Sequence, residues 1–141
     1  RKHRTMSMKT LTVIGGSLLL AASLVAAEDE INVDMSKIPP APKKEVKFEK
    51  DIKPVLEKSG CFKCHGEEKQ KAKLRVDQLK PLLKGSSAGK IVIPKKPEKS
   101  LLLLSVARLD EDYAMPPEGK GKNLTKDQIA LVRAWIDQGA K

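Results

Sequence analysis

The chain predicts a mostly α-helical fold with long loops. Three observations carry this. Apolar residues recur at helical spacing in several short stretches, most clearly Ile129, Val132, Trp135 and Ile136. Helix-starting and helix-stopping residues bracket those stretches. The only strand-like run is "KIVI" at 90–93. A length of 141 residues is a prior for one domain.

The elements follow in chain order. Residues 1–9 are basic, and 11–27, "LTVIGGSLLLAASLVAA", are apolar without a charge. Small residues then close the run at Val25-Ala26-Ala27, so 1–27 reads as a secretory signal peptide cleaved after Ala27. The alternative is an uncleaved anchor, for which 17 residues is short. The first residue is Arg1, which makes Met6 and Met8 candidate starts. Export to the periplasm is the expectation, and the absence of a cysteine after the apolar run argues against a lipoprotein. Residues 28–44 are charged and carry Pro39, Pro40 and Pro42, so they read as an extended linker outside the core.

From Glu45 the pattern turns helical. Phe48, Ile52, Val55 and Leu56 share a face, Asp51 is a candidate cap, Pro54 falls in the first turn and Gly60 is the stop. A second helix is expected over Asp77–Lys84, capped by Asp77 and ended by Gly85. Ser100 is the expected cap of a third, running from Leu101 to about Leu109. The stretch 109–123 holds Pro116-Pro117 and two glycines and reads as a loop. The last helix has the clearest start, a Thr125–Gln128 capping box, and ends at Gly139.

Without 1–27 the chain keeps 24 basic and 18 acidic residues, a net charge of +6. That balance suits docking to an acidic partner. It is weak support for nucleic-acid binding, because Phe48, Phe62, Tyr113 and Trp135 are the only aromatics. Four aromatics also make a thin core, which a large flat apolar cofactor would supplement.

The only cysteines lie in Cys61-Phe62-Lys63-Cys64-His65. C-x-x-C-H is the signature of covalent haem attachment. Two thiols at this spacing reach the two vinyl groups along one porphyrin edge, and the following imidazole turns to the iron. Structural zinc needs four ligands, and residues 28–141 offer two cysteines and one histidine, His3 leaving with the signal. A redox dithiol needs a βαβ setting that is not visible. A plain disulfide leaves His65 unexplained. No Ser-His-Asp or Cys-His nucleophile set can be built, since His65 is committed, so the chain reads as no enzyme.

A second histidine cannot face the iron. The soft candidates are Met35 and Met115. Met35 lies in the Pro-rich segment, whereas Met115 sits in "YAMPPEG", where two prolines stiffen the chain. Met115 is therefore the expected distal ligand, and a His/Met pair is an electron-transfer arrangement. Lysine, water or an empty site are the alternatives. The acidic run Asp110, Glu111 and Asp112 reads as a solvated loop. Lys120 and Lys122 are candidate partner contacts near an exposed haem edge, with a solvated surface as the equal reading.

Taken together, residues 46–141 resemble the class I-like c-type cytochrome domains of planctomycete and verrucomicrobial secreted proteins. The resemblance rests on "FEKDIKPVLEKSGCFKCHG", "AKLRVDQLKPLLKG", "IVIPKKPEKSLLLL" and "MPPEGKGKNLTKDQIALVRAWIDQGA", in that order. It implies a small cytochrome c-like helical domain over 45–141, around one haem held by Cys61 and Cys64 and ligated by His65 and Met115. It also implies that the first helix crosses the last, with Phe48 or Ile52 near Trp135. Two loop positions depart from the family: Gly85-Ser86 replaces a glycine pair, and Pro94-Lys95 replaces Pro-Gly. Family members often carry further large domains. The chain stops with the matching stretch, so such a partner is expected to be a separate polypeptide.

The resulting expectation is an exported, monomeric, monohaem electron carrier serving a redox protein partner. It touches a membrane only through an uncleaved signal. The alternative is a haem protein with an open iron position, a small-gas sensor or weak peroxidase, if Met115 is not bound.

Overall fold

A computed structural model describes residues 30–141. The expected signal peptide, 1–27, lies outside them. The described residues form five α-helices: α1 Lys53–Lys58, α2 Phe62–His65, α3 Leu79–Lys84, α4 Leu101–Val106 and α5 Lys126–Asp137. Among the described residues there is no strand.

The first and last helices lock together. Phe48 and Trp135 are both fully buried, with ring centroids 5.7 Å apart and tilted by 40°. The carbonyl of Lys141 accepts from the Phe48 N–H at 3.1 Å and from the Trp135 indole N–H at 3.0 Å. Gln138 completes the seam by accepting from the Val46 N–H and donating to the Lys44 carbonyl. The indole thus buries its apolar body and still satisfies its one donor.

The start of the first helix differs from expectation. Pro54 has no N–H, and a wider turn over Phe48–Ile52 precedes it, in which the Lys53 N–H reaches back to the Phe48 carbonyl. Asp51 therefore lies inside the helical run. Its carboxylate accepts from the Lys47 N–H behind it at 2.9 Å, so it caps this earlier start from within.

Three further boundaries move for local reasons. Asp77 does not cap α3: it forms a two-pronged pair with Arg75, at 3.0 and 2.6 Å, and the helix begins two residues later. Ser100 stands at the start of α4 but does not bond the helix. Its hydroxyl accepts from the Ile93 N–H and donates to the Lys96 carbonyl, cinching the preceding loop. α4 ends at Val106, short of Leu109, because Arg108 takes the left-handed conformation (φ 54°). The Leu109 N–H then returns to the Leu104 carbonyl and the Arg108 N–H to the Ser105 carbonyl. This is the helix stop usually made by glycine.

The "KIVI" run forms no strand and bends at Ile91. Ile91 and Val92 are buried, and the Ile91 carbonyl accepts from the Leu102 N–H. Residues 30–44 correct the reading of a linker outside the core. Val33 and Ile38 are 3% and 4% exposed and belong to the main apolar cluster. The Val33 N–H donates to the Glu98 carbonyl, and Arg133 in α5 donates to the carbonyls of Ile38 and Pro39. Apart from the short 3₁₀ turn Met35–Lys37, backbone groups of this segment find distant partners, which no local periodicity reveals.

Ile38→Ala is expected to lower unfolding stability by about 2–5 kcal/mol, as a core truncation does. A urea titration reads it, and a loss near zero would return residues 30–44 to the status of a tether.

Candidate functional site

The site is built outward from the end of α1. Gly60 takes the left-handed conformation (φ 84°), so that the Cys61 N–H bonds the Leu56 carbonyl and the Gly60 N–H bonds the Glu57 carbonyl. This stop launches α2 immediately. Cys61 caps its single turn, and its carbonyl accepts from the N–H groups of Cys64 and His65. Both cysteines are half-buried and unpaired. Burial pushes the Cys61 thiol up to about 11.

His65 is held from the chain beyond it. Its Nδ1 lies 3.1 Å from the Lys71 carbonyl oxygen. A carbonyl only accepts, so Nδ1 carries the hydrogen and Nε2 keeps its lone pair. Burial also holds the imidazole below its ordinary value, which favours the neutral, ligating form. The Val76 N–H bonds the His65 carbonyl, bringing Leu74 and Val76 alongside. The Arg75–Asp77 pair braces that stretch.

A cavity of about 240 Å³ opens here. His65 and Cys61 line it together with Leu74, Ile91 and Val106, and Tyr113 and Met115 reach it from the loop after α4. Cys64 adjoins without lining it. Met35, the other candidate thioether, packs against the core elsewhere. The structure therefore brings Met115, and not Met35, to the cavity of His65.

Sequence reasoning did not find what places Met115. Its N–H donates to the Ser105 carbonyl at 3.0 Å. Arg108 donates to the carbonyl of the next residue, Pro116, at 2.6 Å. Farther on, the Lys122 N–H donates to the carbonyl of Ser59, two residues before Cys61. Gly121 is required at that crossing, because a Cβ there would collide with the Ser59 carbonyl oxygen and press on the Pro116 ring. The Gly121 contact had a signal in the glycine itself. Arg108 had none, since arginine is not a residue that announces a left-handed turn. Lys120 and Lys122 pack by their backbone near Ser59 and Gly60 and do not line the cavity. Among the described residues, no group of three His, Cys, Asp or Glu side chains is placed to hold a metal ion.

A family model described as planctomycete cytochrome C matches residues 61–119, a span that begins at Cys61 and includes Met115. Residues 61–119 are a cytochrome c domain of the planctomycete type. The fold class is that of a small helical cytochrome. Among solved structures, a chain of Kuenenia stuttgartiensis hydrazine synthase is similar over 69% of this chain, at 24% identity and a TM-score of 0.46. This chain spans 16% of that chain's length. No curated protein sequence matches.

A cytochrome c domain carries covalently attached haem, and Cys61-Phe62-Lys63-Cys64-His65 supplies the attachment sequence. The residues present fit that group. One free thiol, Cys61, and the imidazole of His65 meet an apolar wall at one cavity, and the second free thiol, Cys64, is the residue directly before His65.

Two outcomes test this arrangement. Arg108→Ala leaves the Pro116 carbonyl without its guanidinium donor, and amide exchange at Met115 should quicken several-fold while exchange in α5 is unchanged. Asp77 is held below the ordinary carboxylate range chiefly by its hydrogen bonds from Arg75. Its contribution is complete above about pH 4 and drains as pH falls through the lowered folded value. The wild-type urea midpoint should therefore fall more steeply below about pH 4 than that of Asp77→Asn.

Proposed function

We propose that the protein is an exported monohaem c-type cytochrome that carries one electron between redox proteins and catalyses no reaction of its own. The observation that supports it most is the convergence of His65 and Met115 on one apolar cavity, each tied by its own backbone hydrogen bonds. Haem iron, when bound, supplies a one-electron ferric/ferrous couple.

The chain's own residues do the rest. Cys61 and Cys64 would hold the group as thioethers. The Lys71 carbonyl orients His65 and makes its Nε2 a better donor. The Ser105 carbonyl and Arg108 hold the Met115 loop at the cavity, where its thioether would be offered to the iron. Thioether ligation raises the reduction potential. Leu74, Ile91 and Val106 line the cavity and would keep water from the ring. No described helix is long and apolar enough to cross a membrane. The basic-then-apolar start of the sequence supports export to the periplasm, and the protein works as a monomer.

One observation favours a second reading. Met115 is 37% exposed, more than a thioether sealed against iron needs to be. If it leaves the iron, the same cavity serves an open-site haem protein that binds small gases or acts as a weak peroxidase.

Haem staining of a denaturing gel checks covalent attachment. In the loaded protein, Met115→Ala should lower the potential by on the order of 0.1 V or more. It should also abolish the charge-transfer band of methionine-bound ferric iron and admit carbon monoxide to the reduced form. An untreated protein that already binds carbon monoxide fully, with no such band to lose, supports the open-site reading instead.

A further inference from the structure

The positive excess of residues 28–141 is concentrated in one stretch of sequence, and four of its seven bases line one cleft. Residues 69–90 hold seven bases against one acid, Asp77, a net of +6. Residues 28–141 as a whole carry 24 bases and 18 acids, also a net of +6. The rest of that stretch is therefore balanced. Asp77 is consumed by Arg75 at 2.6 Å, whereas Lys73, Lys80 and Lys84 are exposed and make no ion pair among the described residues.

These bases are arranged around a recess. Lys73, Arg75, Lys80, Lys84 and Ser87 line a cleft of about 550 Å³ between the 71–73 turn and the end of α3. The cleft is braced: Lys73 is left-handed (φ 54°), and the Ser87 N–H bonds the Ala72 carbonyl across it. Ser86 lines both this cleft and the cavity of His65, so one residue separates them. Other long cationic side chains, Lys43, Lys50 and Lys126, stand exposed away from it.

We propose that this cleft is the docking surface for a carboxylate-rich segment of the redox partner. The inference rests on the electron-carrier reading above and adds where and by what chemistry the partner is held. Lysine ammonium groups steer an acidic segment in, and charge complementarity fixes its register beside the haem edge. It also relocates the contact from Lys120 and Lys122, which line neither this cleft nor the cavity of His65.

The test uses the haem-loaded full chain and a labelled oligoglutamate peptide at low salt, read by fluorescence anisotropy. Neutralising Lys73, Lys80 and Lys84 together to Gln should weaken binding about tenfold. Neutralising Lys43, Lys50 and Lys126, with the same change in net charge, should weaken it less than about twofold. Equal loss in both variants would reduce the effect to net charge and overturn the proposal. Vesicles of phosphatidylglycerol serve as the second probe. Vesicle binding that depends on the same lysines, without oligoglutamate binding, would assign the cleft to a lipid surface and also overturn it. The haem-stained gel on the same preparation keeps the two readings apart: loss of stain removes the electron carrier, while anisotropy reports on the cleft.

Discussion

The turn at Ser59-Gly60-Cys61 is the constraint on which the site depends. Gly60 must be left-handed for the first helix to end and the attachment turn to begin in a single step. The same turn leaves the Ser59 carbonyl free to accept from Lys122, and Gly121 lets the two backbones meet. One short segment thus sets the direction of Cys61, Cys64 and His65 and anchors the far end of the loop that carries Met115. The two halves of the cavity are registered to each other through backbone, not through side chains that could drift.

Rigidity on the Met115 side is obtained at a local cost. Arg108 adopts a conformation that disfavours any residue with a Cβ, by roughly 1–2 kcal/mol. It recovers that cost in two ways. The turn satisfies the last carbonyls of α4, and the guanidinium reaches the Pro116 carbonyl. A glycine would make the turn more easily and could not make the second bond. Strain and placement are therefore linked at one residue, next to the position where function needs precision.

The remainder of the fold supports this arrangement from behind. Phe48 against Trp135 closes the first helix on the last, and the Lys141 carbonyl ties both to the chain end. Residues 30–44 then lie over α5, giving a small core two more apolar anchors, Val33 and Ile38. With four aromatics in 28–141, those contributions matter more than they would in a larger domain. The charge of the chain follows a similar division of labour. Lys73, Arg75, Lys80 and Lys84 gather at a cleft that shares Ser86 with the cavity.

By itself the sequence determined the features that are local. The Thr125–Gln128 capping box is present as read, because its four residues are self-sufficient. So are the glycine stop at Gly60 and the C-x-x-C-H spacing, whose chemistry needs no distant partner. Helix starts were less legible where a side chain had a competing bond: Asp77 prefers Arg75, and Ser100 prefers Ile93 and Lys96. The prolines beside Met115 already set it apart from Met35 in the sequence, and tertiary structure added the bonds from Ser105 and Arg108 that hold its loop at the cavity of His65. It alone decided that Val33 and Ile38 are core, because extended segments find their hydrogen bonds at Glu98 and Arg133, far along the chain. Periodicity reports what a segment does with its own neighbours, and these contacts are made with someone else's.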